Sequence, residues 1–217
     1  MRKNVIFVFV FAAVIWGLVR LHTMSLEDSK DGSFNVKGIA VVSYPSNVEE
    51  RNNIPFELLI NPADKALLPD STDYEKFRPN LILLEKGFNE KDSVQLKEFP
   101  NIVVNAVTID SFDASILETE YAISLAKAIN NIIYQNADRT SSSVSDLKEL
   151  PISLINGAKV LRFEYRLESQ NKKILNIIVS YLFKNDKQVE VTLTSPDKDL
   201  KKWTSIYNEV LNNISID

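Results

Sequence analysis

The side chains best placed to contact something are four charges on one segment. Across residues 159–168, Arg162, Glu164, Arg166 and Glu168 alternate with Leu161, Phe163, Tyr165 and Leu167. A period of two puts the charges on one face of a strand and the apolar side chains on the other. Two outcomes fit. The charges form a partner-facing stripe, or they pair across strands on a wet sheet face.

Other groupings offer less chemistry. Asp64, Asp70, Asp73 and Glu75 gather in one loop, and Asp110 and Asp113 precede a helix. Calcium takes such oxygens, but the D-x-D-x-D-G spacing is absent. Solvated loops are the expectation, with Asp113 helping to cap the helix. His22 is the single histidine, at the edge of an apolar leader. A Ser-His-Asp site or a His-ligated zinc in the domain is therefore excluded. With no cysteine, disulfides, thiolate nucleophiles, iron–sulfur clusters and cysteine acylation are excluded as well. Five glycines form neither G-x-G-x-x-G nor a P-loop. No catalytic, cofactor-binding or metal residue is assigned, and no cofactor is expected.

The 217 residues carry a formal charge of -4, with 45% apolar and 25% charged side chains. Removing Arg2, Lys3 and Arg20 from the 25 basic residues leaves 22 against 29 acidic ones, about -7 for the rest. That balance argues against a nucleic-acid partner, which needs a basic footprint to displace counterions. The composition is that of a folded globular chain with a sizeable core.

Residues 1–4 are basic and residues 5–19 (VIFVFVFAAVIWGLV) are uncharged. As a helix, the apolar run spans about 23 Å, short of a hydrocarbon core of roughly 30 Å. Snorkelling by Lys3 and Arg20 closes the gap. Residues 1–24 are read as a signal anchor, with a cleaved signal peptide as the alternative, since no A-x-A-like site follows. The basic N-terminus stays in the cytoplasm. Residues 25–34 then form a polar tether, and residues 35–217 one domain.

Strands are expected at residues 38–44, 55–60, 80–85, 101–109, 150–155, 159–168 and 174–183, with a last one through Val189, Val191 and Leu193. Asn, Gly, Asp and Pro make most of the breaks. Residues 47–53 and 136–145 read as polar connections. A first helix is expected over residues 115–135, with Ser115 and Glu118 at capping-box spacing. Its expected buried stripe is Tyr121, Leu125, Ala128, Ile129 and Ile132. A second helix opens at Ser195-Pro196 as N-cap and first position. It buries Leu200, Trp203, Tyr207, Val210, Leu211 and Ile214. The fold class is α+β: a mostly antiparallel sheet with helices packed on it, preceded by an N-terminal transmembrane or signal helix.

The run AKVLRFEYRL, ILNIIVSYLFKNDKQ, VEVTLTSP and then the aromatic-bearing helix DLKKWTSIYNEVLNNI resembles the PsbP/DcrB-like α/β sandwich superfamily. The earlier helix and the opening GIAVVSYP fit the same order, so the resemblance spans about residues 35–217. It implies a non-enzymatic, protein-associating domain and transfers no site residue. The missing acylated cysteine departs from lipoprotein members of that superfamily.

The expected role is a membrane-tethered, extracytoplasmic protein-binding or assembly domain of a bacterial envelope complex. It would be single-pass in the cytoplasmic membrane through residues 5–19, facing the periplasm or exterior, or secreted after cleavage. An immunity-type protein that neutralises an exported toxin and a small-ligand carrier are the alternatives.

Overall fold

Strand after strand pairs with an antiparallel neighbour. The structure is a computed structural model that describes residues 31–54, 78–88, 99–110, 114–118, 120–170 and 172–217. The leader (residues 1–24), the strand expected at residues 55–60, the carboxylates Asp64, Asp70, Asp73 and Glu75, and Asp113 lie outside the described residues.

The elements run β1 (Gly32–Val36), β2 (Ala40–Tyr44), β3 (Val48–Glu50), β4 (Leu81–Glu85) and β5 (Asn101–Thr108). A 3-10 turn (Ala114–Glu118) leads to α1 (Glu120–Arg139). Then come β6 (Ser143–Ile155), β7 (Ala158–Glu168), β8 (Ile174–Lys184), β9 (Lys187–Pro196), α2 (Leu200–Asn212) and β10 (Ile214–Ile216). One sheet has the order β3-β4-β5-β9-β8-β7-β6, and a small one has the order β1-β2-β10. The α+β class with a mostly antiparallel sheet and packed helices is the observed one. Among the described residues, no helix is long and apolar enough to cross a membrane.

The turns follow from local chemistry. Asn156 and Gly157 have φ values of 50° and 80°, the left-handed pair that a two-residue hairpin with native twist requires. The Asn156 amide nitrogen also donates to the carbonyls of Asn212 and Ile214, both at 2.8 Å. The β6–β7 hairpin is thereby tied to the end of α2.

Both faces of the large sheet are covered. On one face Ile102, Val104, Val160, Ile178, Leu182, Val191 and Leu193 share a core with α2 and the small sheet. On the other, Leu161, Phe163, Val179 and Phe183 meet Ala122, Ala126, Ile129 and Ile133 of α1. Near-continuous apolar runs such as β8 are what a strand covered on both faces needs.

Several boundaries differ from expectation. β1 begins at Gly32, inside the segment read as tether. There glycine serves packing: a Cβ would collide with the ring of Tyr44, its cross-strand partner. Residues 48–50 form β3 although their polar composition suggested a connection, because they are an edge strand paired only with β4. β6 begins at Ser143 and is 13 residues long. α1 starts at Glu120, so Ser115 and Glu118 belong to the 3-10 turn before it. Ser195 and Pro196 remain in β9, paired with Asn176 and Leu175, and α2 begins after Asp199.

The buried stripe of α1 is also different. It is Ala122, Ala126, Ile129, Ile133 and Ala137, while Tyr121 and Ile132 are about half exposed. The stripe expected for α2 is correct at Trp203, Tyr207, Val210 and Leu211. Trp203 and Tyr207 are core residues, at 1% and 0% exposure.

Candidate functional site: a polar cleft under the last helix

The charged face of β7 is neither a free stripe nor a wet sheet face along its whole length. It lies on the α2 side of the sheet: Arg162 and Glu164 are half-buried beneath the helix, whereas Arg166 and Glu168 are exposed. Arg162 Nη1 donates to Asn208 Oδ1 at 3.1 Å, and Nη2 lies 2.9 Å from Glu164 Oε1. The guanidinium carbon stands 5.3 Å from the centroid of the Tyr207 ring, within range of a cation–π contact. Arg162 Nε is buried without a hydrogen-bond partner among the described residues.

Beneath Arg162 the Tyr207 hydroxyl lies 2.7 Å from Ser180 Oγ and 3.1 Å from the Val191 carbonyl oxygen. A carbonyl can only accept, so the tyrosine hydroxyl donates to Val191 and its oxygen accepts a hydrogen bond from the Ser180 hydroxyl. Burial drives the Tyr207 pKa upward, against the Ser180 hydrogen bond and the Arg162 charge, which lower it. The phenol is a neutral structural group.

Four residues along β7, Arg166 faces Asn176 of β8. Its Nε is 3.4 Å from Asn176 Oδ1, and its Nη2 is 3.4 Å from Asp197 Oδ1. Asp146 stands 4.0 Å away. Asn176 is buried and spends both amide protons, on the Ser195 carbonyl at 3.3 Å and Asp197 Oδ1 at 2.7 Å. An amide buried in a central strand carries a desolvation cost unless it is paired. Here the pairing fixes Asp197 at the start of the turn into α2.

Around Arg166 opens a cavity of about 500 Å³. Lys148, Glu164, Arg166 and Asn176 supply its polar wall, and Ile178 and Leu200 belong to its apolar lining. Thr204, one turn into α2, faces it from the helix. β6 is shaped to suit. Its pairing with β7 slips between Ser145 and Lys148, so two residues oppose one, the signature of a bulge. Asp146 occupies that bulge at φ 54°, a left-handed conformation that Asp tolerates better than most side chains. The bulge turns Asp146 toward the cavity, which it lines. A second slip, between Leu150 and Ser153, contains Pro151, where the missing N–H costs no ladder bond.

Of the four charges singled out in the sequence, Arg162 and Glu164 pair with each other, Arg166 joins a separate group with Asn176 and Asp197, and Glu164 and Arg166 line the same cavity. Glu168 is exposed at the end of β7 and stands apart. Asp146, Asn176, Asp197, Thr204 and Asn208 were missed. Only Asn176 left a signal, as a lone amide in an otherwise apolar strand.

The other face holds a second polar group. Glu190 of β9 opposes Tyr181 of β8 and accepts from the Thr192 hydroxyl at 3.2 Å. Burial raises the Glu190 pKa, offset in part by that hydrogen bond. Burial, then the Glu190 charge, pushes Tyr165 up to about 12. The expected alternation, with Glu190 outward, is correct in direction, but the residue is half-buried rather than solvated. Among the described residues, no three His, Cys, Asp or Glu side chains converge as a metal site.

No protein-family model matches the chain, and no curated protein matches it in sequence. Solved structures match in fold. Cyanobacterial PsbP (CyanoP) from Synechocystis sp. PCC 6803, known from a solution structure, aligns with a TM-score of 0.51 at 11% identity. The alignment covers 87% of this chain and 94% of that one. LpqN of Mycobacterium tuberculosis, described as involved in cell envelope biogenesis, aligns with a TM-score of 0.44 at 9% identity, over 86% of this chain and 90% of that one. The alignment with the cyanobacterial PsbP structure defines the class as a PsbP-like α+β fold, in agreement with the resemblance read from residues 35–217. At such identity the likeness is one of fold.

Proposed function

We propose that this chain is a membrane-tethered, extracytoplasmic, non-enzymatic domain that docks a protein partner as an accessory or assembly factor of a bacterial envelope complex. The observation that carries the reading is the cavity at Arg166. One wall is ordered by the buried Asn176 amide, which donates to the Ser195 carbonyl and to Asp197 Oδ1, while Arg166 stands at the rim with only long contacts. A pre-ordered site loses less side-chain entropy on binding than a flexible surface would. Arg is, besides, a side chain enriched at interface hot spots. The apolar leader at residues 5–19 and the short tether support placement at a membrane, outside the cytoplasm.

The test is affinity capture of the tagged full-length chain from detergent-solubilised membranes. Recovery of a stoichiometric partner by the native chain, lost with Arg166→Glu, supports the reading. Recovery of no such partner, or of one indifferent to Arg166→Glu, overturns it. A small-ligand carrier is the second reading, favoured by the cavity volume, which lies within the range of small-molecule sites.

A further inference from the structure

The polar groups lining the cavity at Arg166 divide into those already committed and those still free to bind. The acids are largely committed. Glu164 is paired with Arg162 at 2.9 Å, and Asp197, next to the cavity but outside its lining, accepts the Asn176 amide at 2.7 Å. The donors are not. Arg166 makes two contacts at 3.4 Å and one at 4.0 Å, whereas a charge-assisted N–H···O bond closes to about 2.7–2.9 Å. Lys148 has no ion-pair partner among the described residues, and the Thr204 hydroxyl makes no hydrogen bond among them. Both line the same cavity.

We infer that the cavity takes a carboxylate, clamped by Arg166 and Lys148 with Thr204 as third donor, its aliphatic portion lying along Ile178 and Leu200. This rests on the docking reading above and names what the partner presents: a C-terminal carboxylate or an acidic side chain. A planar guanidinium offers two parallel N–H groups to a carboxylate, and Lys148 adds a second positive charge. Asp197, at 3.4 Å, and Asp146 are the internal competitors, and Asp146 is the one that lines the cavity. It occupies the left-handed bulge position and reaches Arg166 only at 4.0 Å, so a better-placed carboxylate displaces a weak contact. Asn populates the left-handed region as well, so Asp146→Asn removes the competing charge while preserving the bulge.

The full-length chain in detergent, labelled at isoleucine methyl groups, is titrated with hexanoate and with hexanamide. Saturable shifts of the Ile178 methyls by hexanoate, and none by hexanamide, are expected. Arg166→Gln or Lys148→Gln weakens hexanoate binding about tenfold or more, the scale set by one charge-assisted contact. Asp146→Asn strengthens it. N-acetyl-Ala-Leu with a free C-terminus and N-acetyl-Ala-Glu-Ala-amide then separate the two carboxylate sources, and binding of either supports the inference. Absence of saturable shifts, equal response to the amide, or indifference to both Arg166→Gln and Asp146→Asn overturns it. Capture of a partner that hexanoate fails to displace leaves docking intact and removes the carboxylate. Binding of hexanoate by a chain that captures nothing does the reverse.

Discussion

On one face of the large sheet, α2 buries Trp203, Ile206, Tyr207, Val210 and Leu211. On the other, α1 buries three alanines with Ile129 and Ile133. The sheet compensates in the opposite sense. Under α2 it offers aliphatic residues such as Val160, Leu182 and Val191. Under α1 it offers Phe163 and Phe183, with Tyr165 and Tyr181 packed alongside. Interior packing density is nearly constant. Where the strands supply rings, the helix must supply small side chains, and its bulkier residues are left at the flanks. Polar groups divide along the same line. The α2 face holds paired polar groups beside a cavity, while the α1 face holds the half-buried Glu190, which has no ion-pair partner among the described residues.

Four substitutions break or sharpen this contrast. Trp203→Ala empties the largest buried side chain of the α2 face and should cost about 3–5 kcal/mol in urea unfolding. A loss below about 1 kcal/mol would mean the core does not depend on that ring. Ala126→Leu adds apolar bulk to the α1 face at a residue only 1% exposed. It should destabilise by about 1–3 kcal/mol, the usual cost of overpacking. A stabilised variant would refute the close approach of helix and rings.

Glu190→Gln comes next. Burial raises the folded-state pKa of this carboxyl above its unfolded value. The folded protein therefore holds the proton more tightly, and stability falls as pH rises through that window. The glutamine variant should have the higher urea midpoint at neutral pH, with the gap narrowing as pH falls from the raised pKa toward the ordinary glutamate range and closed below it. A gap that widens on acidification would contradict the assignment. Ile132→Ser, at 52% exposure on the flank of α1, should move stability by no more than about 0.5 kcal/mol. A larger loss would restore the stripe of bulky residues that α1's sequence suggests.

That misread stripe shows where sequence was informative. α2 is legible because its largest residues are also its buried ones, and hydrophobic period then equals burial. α1 is not, because Tyr121 and Ile132 outweigh the alanines in any count of apolar bulk, yet a sheet rich in aromatics selects the alanines. The ends of both helices were misplaced for a related reason. Ser115 with Glu118, and Ser195 with Pro196, satisfy local rules for a helix start, but the first pair was claimed by a 3-10 turn and the second by the β8–β9 ladder. The candidate site was legible only in part. Alternation placed Arg162, Glu164 and Arg166 together on one strand face, whereas Asp146, Asn176, Asp197 and Thr204 arrive from four other elements or turns.

By itself the sequence determined the α+β class, the β7–β8–β9–α2 order, the core role of Trp203 and Tyr207, and the shared face of the β7 charges. All of these follow from periodicity and turn chemistry, which are local. Tertiary structure alone decided that this face lies partly beneath α2, that a bulge turns Asp146 toward Arg166, and that a cavity remains between them. Those depend on which distant surfaces meet, and burial is a property of the pair of surfaces rather than of either segment.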